Sequence, residues 1–536
     1  MQDGEFESDD APRFLVEGPK LFSESLIWEL QRRFYERHGI EAWGGGRIPF
    51  GISTSPHIAA AYARVFFGFL RDWLPVLDRS QPVYIVELGA GSGRLGFNFL
   101  NALASFFDDS ALRDVRFTYV LTDFVEKNIR FWEEHASLRP FVEQGRLDFA
   151  RFDAAADRSL TLRVSGAVLA PGAVANPIVL FANYLFDSIP QDLFSVEDGE
   201  LFAVTVALTS PQAEPDPLDP EIITRIQLEY DRHPADEGFY GDAASRRVLA
   251  FYRDAIDGAV IPFPHAVLQC IDFFRELSGG RMMLLSGDKG DHRLEDYQGR
   301  DLPSLTLHDT GFSITFNYHA LAEYFTGLGG EVLTTSFRPT SLNILSFVLG
   351  AASTVETRQA FHDSIDLNSP DDNYTGLLSA EKNEDISLVE LMALVRMKRY
   401  DTHSFLLAWP QFAKKLPTLP APAIPDLREM VDRLWENYFE LGEKHNLAFH
   451  LGVLLAAVGD YADSVVYFER SLARSPGHTT TLFNLANSVM NLGQPARALE
   501  LLAGLPDDQQ GAPEVVALRQ RIATNDAKPS TQIRRL

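Results

Sequence analysis

Val83-Tyr-Ile-Val-Glu-Leu-Gly-Ala-Gly-Ser-Gly-Arg-Leu-Gly96 is an apolar run closed by an acid and followed by glycine at every second position. The run predicts a buried strand over Val83 to Leu88, the glycines a tight turn, and the residues behind them a helix from about Arg94 to Phe107. Gly89, Gly91 and Gly93 let the backbone come within contact of a ligand, to which the helix behind offers its free N–H groups. A dinucleotide turn wants glycine where Arg94 stands, and a phosphate loop wants Gly-Lys-Ser/Thr. A serine elbow wants Gly-x-Ser-x-Gly, whereas Ser92 sits in Ala90-Gly-Ser-Gly-Arg94. All three of those readings weaken together.

Working outward, a second strand is expected over Phe117 to Thr122, a helix over Glu126 to His135, and a further buried strand over Ile178 to Ala182. Strand and helix in alternation predict an α/β fold with a parallel sheet. Upstream, helical periods span Leu21 to His38 and Pro56 to Trp73, with Ser53, Thr54 and Ser55 placed to cap the second. Downstream, Leu193 to Val206 reads as two strands joined at Asp198-Gly199, a hairpin signal. Residues 209–275 open with Pro211, Pro215, Pro217 and Pro220, then turn amphipathic, and are expected to be a helical insertion. Short strands over Met282 to Leu285, Val332 to Phe337 and Asn343 to Leu349 finish the sheet.

With 536 residues, 46% of them hydrophobic and 39 of them Phe, the chain must bury a large core. A net charge of −26 sets it against nucleic acid and anionic membrane as partners. The lone cysteine, Cys270, rules out an internal disulfide and a thiolate zinc cluster, so no metal is expected and a reducing, cytoplasmic location is. Residues 1–20 are expected to be a disordered acidic N-terminus without an export signal, and no run reaches the roughly 18 apolar residues that a membrane helix requires.

From 351 the texture becomes polar and helical. A connector is expected over 351–425, with LPTLPAPAIP at 416–425 as a linker. Beyond it, Leu451-Gly452, Gly459 and Phe468 are echoed at Leu485-Ala486, Gly493 and Leu502, each at an offset of 34. That is the tetratricopeptide period, so an all-α repeat domain is expected over 426–524, with a flexible tail over 525–536.

The E-x-G-x-G-x-G pattern from Glu87 to Gly93 resembles the first motif of class I S-adenosylmethionine-dependent methyltransferases. Phe181-Ala-Asn-Tyr-Leu-Phe-Asp-Ser-Ile-Pro190 is similar to the Asn-Glu-x-x-Asp-Ala-x-Pro motif of the MidA family, methyltransferases related to a mitochondrial complex I assembly factor that methylates arginine. Ser53-Thr54-Ser55-Pro56 resembles that family's Thr-Ser-Pro, and Asp288-Lys289-Gly290 its Asp-Tyr-Gly. The resemblance covers about 22–350, within a methyltransferase domain expected over 21–350. It implies a Rossmann-like core that binds S-adenosylmethionine through Glu87, Gly89, Gly91, Gly93, Thr54 and Ser55. By the same resemblance Asp123 takes the ribose hydroxyls and Asp153 the adenine amino group. Asn183 and Asp187, at the carboxyl edge of the sheet, are placed to align or deprotonate an acceptor. The acceptor implied is a protein or peptide side chain, arginine among them, brought by the repeats. Three positions depart from the family: Tyr184 stands for Glu, Lys289 for Tyr and Gly311 for Asp. A small-molecule methyltransferase and a non-catalytic scaffold of the same fold are the alternatives. The oligomeric state is not legible.

Overall fold

The computed structural model describes residues 13–48, 50–336, 342–524 and 534. The chain divides into two compact units, residues 1–371 and 372–536.

The first unit is built on a seven-stranded sheet: β1 (Val83–Leu88), β2 (Phe117–Asp123), β3 (Leu147–Arg151), β4 (Ile178–Asn183), β5 (Met282–Asp288), β6 (Glu331–Leu333) and β7 (Asn343–Leu349). Their spatial order is β3-β2-β1-β4-β5-β7-β6. β1 to β5 run parallel to their neighbours, while β7 lies antiparallel to both β5 and β6. Parallel strands are covered on both faces, which is why β1, β4 and β5 read as continuous apolar runs rather than alternating, with Glu87, Asn183, Ser286 and Asp288 coming only toward their carboxyl ends. Val86 sits beside Val120 on one side and Leu180 on the other, and all three are completely buried. The chain winds outward from β1 to β3 and then returns to β4 on β1's other side. The carboxyl ends of β1 and β4 therefore form a switch point, the place where an open sheet of this kind leaves a crevice.

The Asp198-Gly199 turn joins Asp192–Glu197 to Glu200–Ser210 with both turn residues at positive φ, +52° and +76°, as a primed hairpin turn requires. The hairpin belongs to a second, antiparallel sheet. There Glu200–Ser210 pairs along one edge with Gln227–Ala235, and its other edge is shared by Asp192–Glu197 and Phe14–Leu21.

Two expectations are corrected here. Phe14–Leu21, expected to be disordered, is a strand whose side chains are exposed or at most half-buried, so backbone bonding holds it and no apolar alternation announces it. The 209–275 segment holds the helices Ala243–Ala255 and His265–Leu277 but also the strands Gln227–Ala235 and Ala259–Phe263. The first of these strands is a charged edge and the second carries Pro262, and both features hide a strand from a reading by pattern. Cys270 is fully buried in the helix His265–Leu277. Residues 1–12 and Phe337 lie outside the described residues, as does the expected flexible tail apart from Arg534.

Residues 351–371, expected to open a connector, are held by the first unit. Asp72, near the end of the helix Pro56–Trp73, accepts the backbone N–H of Glu356 (3.2 Å) and of Thr357 (2.8 Å) and the Thr357 hydroxyl (2.7 Å), capping the helix Val355–Phe361. Gly68 admits the close approach, because a Cβ there would lie 2.6 Å from the Glu356 carbonyl oxygen.

The second unit is helical. Leu447–Ala457 pairs with Tyr461–Arg474, and Thr479–Asn491 with Pro495–Ala503. Gly459 and Gly493, 34 positions apart, both take the left-handed conformation between the helices of their pairs. Gly452 lets the first pair close, since a Cβ there would meet the Phe468 ring at 2.7 Å. The proline-rich 416–425 stretch is wound into two short helical turns and the start of the helix Ile424–Glu436, although most of its residues are exposed. Leu416 is buried, and Pro417, Pro422 and Pro425 each occupy the first turn of a short or full helix, where a missing N–H costs nothing. Among the described residues, no helix is long and apolar enough to cross a membrane.

Candidate functional site

A cavity opens at the carboxyl ends of β1 and β4. Gly89, Asp123, Phe124, Phe152, Asp153, Tyr184 and Ser188 contribute to it from the sheet side, and Trp28, Arg32, Tyr35 and Trp43 from the N-terminal helices. Gly89 and Gly91 have φ of +58° and +50°. A Cβ at Gly89 would lie 2.6 Å from Leu185, and one at Gly91 only 2.4 Å from the Trp43 indole, so any side chain would block both the turn and its cover. Gly93 caps the helix Arg94–Phe107 and packs on Trp132, whose indole N–H donates to the Gly91 carbonyl at 3.1 Å.

Asp123 ends β2 and stays buried at the cavity wall. Its carboxylate accepts the Gly91 N–H (3.1 Å), the Val125 N–H (2.8 Å) and the Asn128 amide (3.1 Å). Burial raises its pKa, and those hydrogen bonds oppose the rise. Asp153 follows β3, accepts the Ala155 N–H at 3.0 Å and pairs with Arg32 at 2.7 Å, and the Arg32 guanidinium lies 4.4 Å from the Phe124 ring centroid. Asp123 and Asp153, from the ends of adjacent strands, thus flank an aromatic wall.

Glu87 sits behind the turn. Its carboxyl accepts the Tyr119 hydroxyl at 2.8 Å, and burial pushes its pKa up to about 8. Thr54, Ser55 and Asn183 also stand back from the cavity. Asn183 accepts the Tyr62 hydroxyl (2.7 Å) and the Gly287 N–H (3.1 Å) and donates to the Ser53 carbonyl (3.0 Å), so its amide ties the 50–56 segment to the sheet edge. Thr54 donates to the Phe50 carbonyl at 2.8 Å, and Ser55 caps the helix Pro56–Trp73 through the Ile58 N–H at 3.3 Å.

Asp187 lies one side chain behind the cavity. Its carboxylate accepts the Ser188 hydroxyl at 2.9 Å and shares a hydrogen bond with the carboxyl of Asp288. Asp288 in turn accepts the backbone N–H of Leu185 (3.1 Å), Asp187 (3.2 Å) and Lys289 (2.8 Å), and so fixes the loop after β4. Burial raises both acids, Asp187 to about 6 and Asp288 further because the Asp187 charge adds to it. Of the two, Asp288 is the acid that keeps its proton to the higher pH. Tyr184, between Asn183 and Leu185, has φ of +48°, a strained value for a residue with a side chain.

The wall formed by Trp28, Arg32 and Tyr35 escaped the sequence reading, which followed only the apolar stripe Leu26, Ile27, Leu30 and Phe34. Spacing of four and three residues puts all three on a second face of the helix Leu26–His38, a signal that was available. Trp43, from the short helix Glu41–Gly44, stacks on Tyr35 with ring centroids 6.0 Å apart.

Residues 455–522 match the tetratricopeptide repeat family. The 34-residue period and the paired helices of the second unit are those of this repeat. No curated protein matches the chain. Among solved structures, a superfamily member from Burkholderia thailandensis bound to S-adenosyl-homocysteine is similar at 16% identity, with TM-score 0.39, over 64% of this chain and 90% of that one. The 1,6-didemethyltoxoflavin-N1-methyltransferase of the same organism, with bound 1,6-didemethyltoxoflavin and S-adenosylhomocysteine, is similar at 12% identity, with TM-score 0.29, over 64% and 98%.

Proposed function

We propose that the first unit is an S-adenosylmethionine-dependent methyltransferase and that its acceptor is a protein or peptide, arginine among the candidates, brought by the repeats of the second unit. The observation that carries this reading is the meeting of Gly89, Asp123 and Asp153 in one cavity at the switch point of an open parallel sheet. The donor, when bound, supplies an electrophilic methyl group.

The residues present fit such a group. The glycine turn is a cradle that a Cβ would fill. A carboxylate offers about four acceptor positions, so beyond its three internal donors Asp123 keeps room for about one more, enough for one hydroxyl of a ribose. Asp153, beside Phe124 and Phe152, offers an acceptor for an exocyclic amine next to aromatic faces for a flat base. On the acceptor side, the Ser188 hydroxyl borders the cavity and already donates to Asp187. An acceptor proton passed to Ser188 is matched by the Ser188 proton passed to Asp187, which makes Asp187 the base at one remove. Trp28, Tyr35 and Trp43 keep water from the cavity.

The aromatic cover also favours a second reading, a small flat acceptor held under Trp28 and Tyr35. One experiment tests both: incubation with methyl-labelled donor, of a cell extract in one arm and of its small-molecule fraction in the other. Label in protein supports the first reading and label in small molecules the second. Donor binding without transfer in either arm leaves a non-catalytic scaffold.

A further inference from the structure

The second unit holds a built recognition site that the methyl-transfer reading does not use. On the helix Thr479–Asn491, the buried side chain of Asn484 donates to the Arg534 carbonyl at 2.9 Å and accepts the Arg534 N–H at 2.9 Å. One amide thus reads both backbone polar groups of a single residue, which requires that residue to be extended and to have an N–H. The Arg534 guanidinium lies 4.7 Å from the Phe483 ring centroid, donates to Gln509 at 3.0 Å and pairs with Glu514 at 2.5 Å. Gln509 is itself oriented by a bond to the Thr479 hydroxyl at 3.3 Å.

We infer that the groove between the helix Thr479–Asn491 and the 507–514 segment is a docking site for an extended, arginine-bearing segment of a partner protein, and that Arg534 occupies it in cis as a competitor. The contacts are chemically indifferent to which chain supplies the arginine. Proline is excluded at the clamped position because it lacks the N–H, and lysine loses the planar stacking and the fork of donors. A chain of net charge −26 favours a basic partner. Arg534 is tethered ten positions beyond Thr524, where the last helical turn ends, and so short a tether gives an effective concentration on the order of millimolar. If the arginine segment itself has an intrinsic Kd of about 100 μM for the free groove, any segment competing for it would therefore be weakened about tenfold by the tail. The inference concerns the second unit alone and stands whether or not the first unit transfers a methyl group.

The test uses the full-length chain, its R534A/R535A variant, and a fluorescent synthetic peptide of residues 525–536 read by anisotropy. The variant is expected to bind the peptide at least tenfold more tightly than the wild type. A peptide with both arginines replaced by alanine should not bind. Adding Glu514→Gln to the variant should remove most of the gain, and Asn484→Ala nearly all of it, with circular dichroism confirming that each protein is folded. Equal affinity of wild type and R534A/R535A overturns the proposal. So does a variant that binds no peptide at millimolar concentration and melts several degrees lower, which would make Arg534 a clasp of its own fold.

Discussion

Asp123 both holds the glycine turn, through the Gly91 N–H, and faces the cavity. Asp123→Ala should lower S-adenosylmethionine affinity by about 1 to 3 kcal/mol, measured by calorimetry, because charge-assisted hydrogen bonds are lost on both sides. Asp187 is expected to separate binding from rate. Asp187→Asn should leave donor affinity nearly unchanged and lower labelled-methyl transfer by about 10²-fold. The pH profile provides the sign. With the Asp187 acid pushed up to about 6, its basic form is lost as pH falls through that value, so the rate should drop about tenfold per pH unit below 6 and level off above it. Asp288, Lys289 and Tyr35 all face Asp187, so the apparent midpoint belongs to the cluster. Equal rates for Asp187 and its Asn variant would remove it from the chemistry.

Among the elements, the helix Val355–Phe361 depends on a cap supplied from another helix. Asp72→Ala removes three hydrogen bonds at its start and should cost about 1 to 2 kcal/mol, read as a lower denaturation midpoint with an unchanged slope. Such a cap, more than 280 positions from its helix, leaves no mark in a local pattern. The doubly covered strands β1, β2 and β4 were legible because burial on both faces leaves continuous apolar runs. Phe14–Leu21 and Gln227–Ala235 were not, because edge strands are held by main-chain bonds that any side chain permits. The site divides the same way. The glycine turn and the acids at the ends of β2 and β3 are local signals, and they meet at the cavity. The Asp187 and Asp288 pair spans 101 positions, and only the folded sheet makes it visible. The proline-rich 416–425 stretch misled because prolines that begin helices look the same in sequence as prolines that prevent them.

In the molecule taken whole, one source of acid sensitivity lies in the second unit, in addition to buried histidines of the first such as His319. His450 is buried against Trp409, with ring centroids 4.2 Å apart, and among the described residues neither ring nitrogen has a hydrogen-bond partner. Burial lowers its pKa to about 3. The unfolded chain takes the proton near the ordinary value of about 6.5, so stability is intact above that pH and lost as pH falls below it, by about 2 kcal/mol at pH 5. Wild type should therefore melt progressively lower from pH 7 to pH 5, and His450→Leu should reduce that dependence, with the remainder left to histidines such as His319. An unchanged slope in the variant would assign the acid sensitivity elsewhere. Cys270 gives the first unit a gauge of a different kind. As the chain's only thiol, fully buried and with its pKa pushed up to about 12, it is invisible to alkylating reagents while the helix His265–Leu277 stays docked. The rate at which a maleimide consumes it is then a stopwatch for transient opening of that unit, and a cysteine introduced at any exposed position takes a probe against a silent background.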